Sequence, residues 1–235
     1  MLPPMRIRQY SISSSPLSDP TRATLTWAVL DTPSKSNEST RFLGVASNYL
    51  SSLEEGDRVH VATKPSHGIF HPPADMEKTP MLMFCAGSGL APFRGFVQQR
   101  AFQIKAGRKL APAYLFIGCT SPEQDSLFRD EFNAWEEQGV VKLYYAYSKA
   151  KEQSKGCRHV QDRLWEEREE VMRVFEQGAK VFVCGSSMVG EGVATRFKMV
   201  RLDWAEANGE EIGDEEVQEW FEGIKRERYA QDVFV

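Results

Sequence analysis

The chain has 235 residues, of which 41% are hydrophobic and 26% are charged, proportions typical of a globular protein with its own core. A formal net charge of −4 argues against sequence-independent binding to nucleic acid, which needs an excess of Lys and Arg. No apolar run approaches the roughly 20 residues of a membrane span, and four cysteines without a Cys-x-x-Cys pair indicate a reducing cytoplasm and no metal site.

The first third of the chain has short, strand-like segments. Alternating and β-branched residues predict strands over 6–13 and 23–30, a short helix over 46–54 and a third strand over 58–63. These elements favour an antiparallel sheet. The proline-rich segment 71–80 that follows is typical of a linker.

After this linker, apolar runs alternate with helical patterns. Strands are predicted at 81–86, 114–118, 141–147 and 181–184. Helices are predicted at 91–106, 122–138, 159–177, 187–207 and 214–227. Short apolar strands that alternate with helices predict a parallel sheet covered on both faces. Ligands of such a sheet bind at the carboxyl ends of its strands.

The clearest candidate site follows the first of these strands, at Cys85–Arg94. Gly87 and Gly89 allow a close approach of the backbone to a ligand, and Pro92 suits the first turn of a helix whose free N–H groups favour phosphate. Pro92 also stands where a dinucleotide fingerprint has its third glycine. No acidic residue is placed to take a ribose 2′-hydroxyl, which favours NADP over NAD.

Hydroxyl and cationic residues follow the third parallel strand. Ser148, Lys149, Lys155 and Arg158 are the residue types that hold a 2′-phosphate through charge-assisted hydrogen bonds. A solvated basic loop is the alternative interpretation, and these residues alone favour it.

Two further features lie near the N-terminus. Arg8 and Tyr10 share one face of a predicted strand, so that Arg8 can bind a pyrophosphate while Tyr10 stacks on a planar ring. An ordinary edge strand is the alternative. The segment 44–48 combines a glycine with a helix start and is a second candidate phosphate loop. Cys184, at the end of the fourth strand, has the position of a buried, inert cysteine.

Six motifs occur along nearly the whole chain: RQYSISSSP, GVASNYL, CAGSGLAPFRGF, FIGC, VFVCG and RYAQDVF. Together they resemble the FAD/NADPH half of the diflavin reductases, the group that includes NADPH–cytochrome P450 reductase and the reductase part of self-sufficient fatty-acid hydroxylases. The resemblance implies a ferredoxin-NADP reductase-like α/β fold. A partial antiparallel FAD-binding barrel would occupy residues 1–77 and a doubly wound parallel NADP-binding sheet residues 78–235.

The resemblance also implies roles for individual residues. The residues expected to position nicotinamide against flavin are Ser11, Cys184 and Asp232. The FAD-binding residues would be Arg8, Tyr10, Ser11, Thr26, Trp27, Ala28, Gly44, Val45, Ala46, Ser47 and Phe234. The NADP-binding residues would be Gly87, Ser88, Gly89, Pro92, Arg94, Ser148, Lys149, Lys155, Arg158, Gln161, Cys184 and Glu191.

The implied activity is electron transfer from NADPH through FAD to an acceptor that contains FMN or haem, such as an FMN domain or a cytochrome P450. This chain departs from the family at His159, where a tyrosine is usual, at Cys157 in place of a lysine, and at Phe234 in place of a tryptophan. Only seven residues precede Arg8, so we expect an N-terminally truncated barrel and a piece of a longer multidomain protein. The alternative is a remnant that binds NADP(H) without catalysis.

Overall fold

The computed structural model describes residues 7–37, 39–66 and 68–234. The strands in this part of the chain are β1 (Asp31–Pro33), β2 (Arg41–Leu43), β3 (Met81–Ala86), β4 (Ala113–Cys119), β5 (Lys142–Tyr147), β6 (Lys180–Ser186) and β7 (Tyr229–Phe234). The α-helices are α1 (Val45–Ser51), α2 (Ala91–Lys105), α3 (Arg129–Glu137), α4 (Val160–Glu166), α5 (Arg168–Glu176), α6 (Ser187–Ala207) and α7 (Asp214–Glu227).

Five strands form a parallel sheet in the order β5-β4-β3-β6-β7. This arrangement confirms the predicted α/β architecture with a parallel sheet. Strand β7 was not among the predicted strands, because the tail it comes from is short and Gln231 and Asp232 interrupt its apolar residues. Its register with β6 runs from Val181 opposite Tyr229 to Ser186 opposite Phe234, so Val233 and Phe234 lie beside the end of β6.

Helices cover both faces of the sheet, and side chains alternate between the two cores. Met83 and Cys85 point to the face covered by α2 and α3, whereas Leu82 and Phe84 point to the face covered by α4 to α7. This alternation follows from the two-residue period of a strand. No helix among the described residues is both long and apolar enough to cross a membrane.

Two predicted helices have different bounds. The helix predicted over 122–138 begins at Arg129, because the Asp125 carboxylate accepts hydrogen bonds from the amides of Thr120 and Ser121 and holds a turn there. The helix predicted over 159–177 is two helices, since Glu167 between them has φ −102° and ψ 23° and leaves the helical conformation. The helices at 91–105, 187–207 and 214–227 agree with the prediction within one residue.

The N-terminal segment departs most from the prediction. Residues 7–13 and 23–30 meet in one antiparallel bridge, Ile12 with Leu25, instead of forming long strands; residue 6 of the first predicted strand lies outside the described residues. Serine and threonine side chains bind this backbone locally: the Thr24 amide donates to the Ser14 hydroxyl at 2.9 Å, a bond that competes with a strand ladder.

The antiparallel sheet pairs β1 with β2, residues that were not predicted as strands. Residues 58–63, predicted as the third strand, are not a strand. A strand needs a neighbour for its backbone groups, and no described segment pairs with this one; Val61 is 80% exposed. The short helix predicted over 46–54 is α1, over 45–51.

Candidate functional site

The parallel sheet has one position where its strand order reverses. From β3 the chain continues to β4 and β5 on one side, and β6 and β7 lie on the other side. The helices after β3 and β6 therefore lie on opposite faces of the sheet and leave a crevice at the carboxyl ends of these two strands, the place where open α/β sheets bind ligands. The Gly87–Leu90 turn lies at this crevice, directly after β3.

Two glycines shape this turn for different reasons. A Cβ on Gly89 would lie 2.3 Å from the backbone oxygen of Cys184, so only glycine lets the turn contact β6 so closely. Gly87 has φ +56°, a left-handed conformation that favours glycine, and a Cβ there would meet open space. Ser88 between them is half-buried, and Pro92 is buried in the first turn of α2. Between Gly87 and Gly89 the turn thus carries no side chain larger than that of serine.

The three residues expected to position nicotinamide lie beside the same crevice. Cys184 and Asp232 are register partners on β6 and β7, and the Ser11 hydroxyl donates to Oδ2 of Asp232 at 3.0 Å. Cys184 is 1% exposed. Burial, with a smaller effect of the Asp232 charge, raises the pKa of its thiol far above the ordinary range. The thiol is therefore neutral, whereas Asp232 is exposed at the edge strand.

The predicted basic loop follows β5 at the same edge of the sheet. The amides of Ser148 and Lys149 donate to the carbonyl oxygens of Cys119 and Thr120 at 3.0 and 2.9 Å, which fixes the start of the loop against β4. The side chains of Lys149 and Arg158 are exposed. Lys155 differs, because its ammonium group forms an ion pair with Glu167 at 2.8 Å.

Gln161 and Glu191 lie on neighbouring helices. Gln161 is in the first turn of α4, and its carboxamide would be 3.2 Å from a Cβ on Gly192 of α6. Glu191 precedes that glycine and is exposed. The groove between the two helices is also lined by Met188, Thr195, Arg196 and Met199. Gln161 and Glu191 thus share one groove that begins next to the basic loop.

Arg94 is engaged inside the protein. Its guanidinium forms a two-bond ion pair with Glu131, at 2.6 and 2.9 Å, and donates to the carbonyl oxygen of Ser13 at 2.8 Å. Sequence reasoning missed Ser13 and Glu131, since 81 and 37 residues separate them from Arg94 and no local pattern marks the contact.

The predicted flavin-side residues form two groups. Arg8 is exposed and Tyr10 is half-buried, both on the segment that carries Ser11. In the second group, the Trp27 indole donates to the Ser47 carbonyl oxygen at 3.3 Å, and a Cβ on Gly44 would lie 2.7 Å from that of Leu30. Thr26, Ala28, Val45 and Ala46 lie in the same two segments. Phe234, at the end of β7, is 44% exposed.

Comparison with known proteins identifies relatives of the whole chain. Residues 83–195 match the family described as Oxidoreductase NAD-binding domain. The chain is 53% identical over its entire length to the bifunctional cytochrome P450/NADPH–P450 reductase ascE of Acremonium egyptiacum, and 50% identical to a bifunctional cytochrome P450/NADPH–P450 reductase of Fusarium oxysporum. It is 48% identical to the self-sufficient cytochrome P450 monooxygenase CYP505E3 of Phanerodontia chrysosporium.

The chain covers 22% of the length of each of these three relatives. The names of the first two combine a cytochrome P450 and an NADPH–P450 reductase in one protein. The reductases of this family use NADPH and FAD, the two cofactors expected from the sequence. The chain therefore belongs to the diflavin reductase family, in which it corresponds to the C-terminal part that binds FAD and NADPH.

Proposed function

We propose that the chain is an NADPH-dependent flavoprotein reductase of the NADPH–haemoprotein reductase type, which passes electrons from NADPH through FAD to a haem or FMN acceptor. The observation that carries this proposal is the contact between Ser11 and Asp232, beside Cys184, at the crevice where the strand order reverses. It joins the predicted flavin-side segment to the strands at the dinucleotide crevice. When both cofactors are bound, NADPH supplies a hydride and FAD releases the two electrons one at a time.

The proposed dinucleotide site fits a phosphate-bearing ligand. Gly87, Ser88 and Gly89 precede the 15-residue helix α2, which has Pro92 in its first turn, and backbone N–H groups at such a helix start favour an anion. Ser148, Lys149 and Arg158 then bind the 2′-phosphate. Gln161 and Glu191 flank the adenosine end in their shared groove. Lys155 acts more weakly in this site, because its ammonium group is already held by Glu167, a carboxylate that it shares with Arg163.

Cys184 and Asp232 have different proposed roles at the nicotinamide. The neutral Cys184 thiol is buried at the end of β6 and, through its packing, sets the depth at which the ring lies. Asp232 accepts the hydrogen bond of Ser11 and so fixes the flavin-side segment against the ring. Both residues act by placing the nicotinamide relative to the flavin, since hydride transfer requires reacting atoms about 3–3.5 Å apart.

The proposed FAD site uses residues 1–77, with the NADP-binding domain at 78–235. Arg8 binds the pyrophosphate, and Tyr10, Ser11, Thr26, Trp27 and Ala28 line the ring system. Gly44 and the residues that begin α1, Val45, Ala46 and Ser47, approach the same pyrophosphate, and Phe234 covers the flavin ring. A barrel around the flavin is part of this proposal. Apolar side chains that the described residues leave exposed fit such a wall: Val29, Leu30, Phe42, Val59 and Val61.

We propose a cytochrome P450 as the acceptor, on the evidence of the relatives' names, or an FMN domain, as the resemblance to the diflavin reductases implies. The test is whether the purified chain, supplied with FAD, becomes yellow and reduces ferricyanide with NADPH. We expect both. A colourless protein that NADPH still stabilises against heat would contradict the proposal and favour a remnant that binds NADP(H) without catalysis.

The same assay tests the 2′-phosphate site through Lys149→Ala. Loss of a charge-assisted hydrogen bond costs about 1.5–3 kcal/mol, so the variant should require roughly 10- to 100-fold more NADPH, with NADH affected less than about twofold. Lys109→Ala, at an exposed lysine before β4, is the control and should change neither. Unchanged discrimination in Lys149→Ala would remove this residue from the site.

A further inference from the structure

The side chain of Arg94 connects three separate parts of the chain. It starts from the first turns of α2 and pairs with Glu131 of α3 through Nε and Nη2. Its Nη1 donates to the Ser13 carbonyl oxygen at 2.8 Å and to the Thr24 hydroxyl at 3.3 Å. All three guanidinium nitrogens therefore have partners, and the charge is balanced by a side chain on the same domain.

The neighbouring residues of α2 contact the same N-terminal segment. A Cβ on Gly95 would lie 3.3 Å from the carbonyl oxygen of Ser14, so glycine allows close contact here. The Ser15 amide donates to Gln98 at 2.8 Å. Ser13 and Ser15 are almost fully buried, at 0% and 2% exposed. One face of α2, from Arg94 to Gln98, thus contacts residues 13–15 through partly buried hydrogen bonds and close packing at Gly95.

Phe128, a residue with a strained backbone conformation, packs its ring against the Arg94 guanidinium. Phe128 precedes α3 with φ +54°, a left-handed conformation that bulky residues rarely adopt. Its ring lies 4.5 Å from the guanidinium carbon of Arg94, within the range of a cation–π contact. Strain of this kind persists where the surrounding contacts hold it in place.

These contacts connect α2 and the N-terminal segment on both sides of the proposed active site. Residues 13–15 follow Ser11, which binds Asp232 of β7, and α2 follows the Gly89 turn, which touches Cys184 of β6. We propose that Arg94 is a positioning residue: it clamps the flavin-side segment onto α2 and thereby sets how nicotinamide approaches flavin. This inference rests on the proposed function. It proposes for Arg94 a positioning role where the family resemblance implies direct binding of NADP.

The test compares Arg94→Met and Arg94→Lys with the unchanged chain, and uses Arg168→Met as a matched control. Arg168 makes a similar pair, with Asp203 at 2.9 Å, and a similar contact with the Trp165 ring at 4.8 Å, but on the opposite face of the sheet. The measurements are hydrogen exchange at residues 13–15, the affinity for NADP⁺, and the rate of flavin reduction at saturating NADPH.

For Arg94→Met we expect at least tenfold faster exchange at residues 13–15, at least tenfold slower flavin reduction, and an NADP⁺ affinity within twofold of the unchanged chain. Arg94→Lys keeps a cation but loses the two-bond geometry, so it should restore part of the rate. Arg168→Met should change none of the three quantities by more than twofold. A merely structural role would change stability and leave the rate at saturating NADPH intact.

Two results would overturn the inference. In the first, NADP⁺ affinity falls in step with the rate while exchange is unchanged, which would make Arg94 a ligand. In the second, the flavin is reduced at the normal rate. If Arg94→Met fails to fold, Arg94→Lys and Glu131→Gln are judged by the same criteria. If the unchanged chain does not reduce FAD, the proposed function fails, and exchange at residues 13–15 still decides whether Arg94 forms the clamp.

Discussion

Gly87 and Gly89 are two residues apart, and glycine is required at each for a different reason. Gly87 needs a left-handed backbone but has free space around it, whereas Gly89 has no room for a Cβ because the backbone of β6 lies against it. The sequence marks both positions as a phosphate turn, yet it does not distinguish them, since the contact between Gly89 and Cys184 joins residues 95 positions apart.

Alanine substitutions distinguish the lack of space at Gly89 from the backbone strain at Gly87. Gly89→Ala should lower the free energy of unfolding by about 3 kcal/mol, because backbone atoms must move to admit the methyl group. Gly87→Ala should cost about 1 kcal/mol, the strain of a left-handed alanine. Urea unfolding of both variants measures the difference. Equal, small losses would show that the turn does not contact β6 in the way described.

Elements of the parallel sheet were predicted well where burial is complete. Strand β3 reads as an unbroken apolar run because both of its faces are covered, and α2 follows from its apolar spacing and its proline. Strand β7 was missed because four of its six residues are exposed. The N-terminal strands were overpredicted, since alternation alone does not supply a neighbouring strand.

The charged helix α5 makes contacts that could not be predicted from its sequence. The acidic pairs at 166–167 and 169–170 are typical of a solvated helix face, but Glu167 and Glu170 are only 14% and 20% exposed in their side chains. Glu170 binds Lys142 at 2.9 Å and also accepts from Tyr144, both on β5. These contacts link α5 to the edge of the sheet, and nothing in the local sequence predicts them.

The link between α5 and β5 should depend on pH. Burial tends to raise the pKa of Glu170, but hydrogen bonds from Tyr144 and Lys142 outweigh it and lower the pKa below its ordinary value of 4.5. The folded state therefore binds this proton more weakly than the unfolded state does. The resulting stabilisation is present above pH 4.5 and is lost as the pH falls through the lowered value.

Glu170→Gln removes this carboxylate. At pH 6 the variant should be less stable than the unchanged chain by about 1 kcal/mol, a modest value because Lys142 is half-exposed. The difference should shrink as the pH falls to 3, as measured by urea unfolding across that range. Glu169→Gln, at an exposed neighbour, is the control. A difference that stays constant with pH would show that the Glu170 charge contributes nothing.

At the scale of the whole molecule, the proposed site depends on contacts between segments that are far apart in the sequence. Each motif predicted a local shape, such as a glycine turn or a strand end, and the parallel sheet brings the ends of β3, β6 and β7 to one edge. The contact of Ser11 with Asp232 spans 221 positions, and only the resemblance to a family paired these residues in advance. Periodicity and composition carry no information about such a distance.

The central claim is that nicotinamide meets flavin beside Cys184, where the neutral thiol positions the ring and does not bind the dinucleotide tail. The most direct test is the rate of hydride transfer from NADPH to FAD in Cys184→Ala, measured at saturating NADPH together with NADP⁺ affinity. We expect hydride transfer in Cys184→Ala to be at least tenfold slower than in the unchanged chain, and its NADP⁺ affinity to be within twofold. Equal losses of rate and affinity, or no loss of rate, would contradict it.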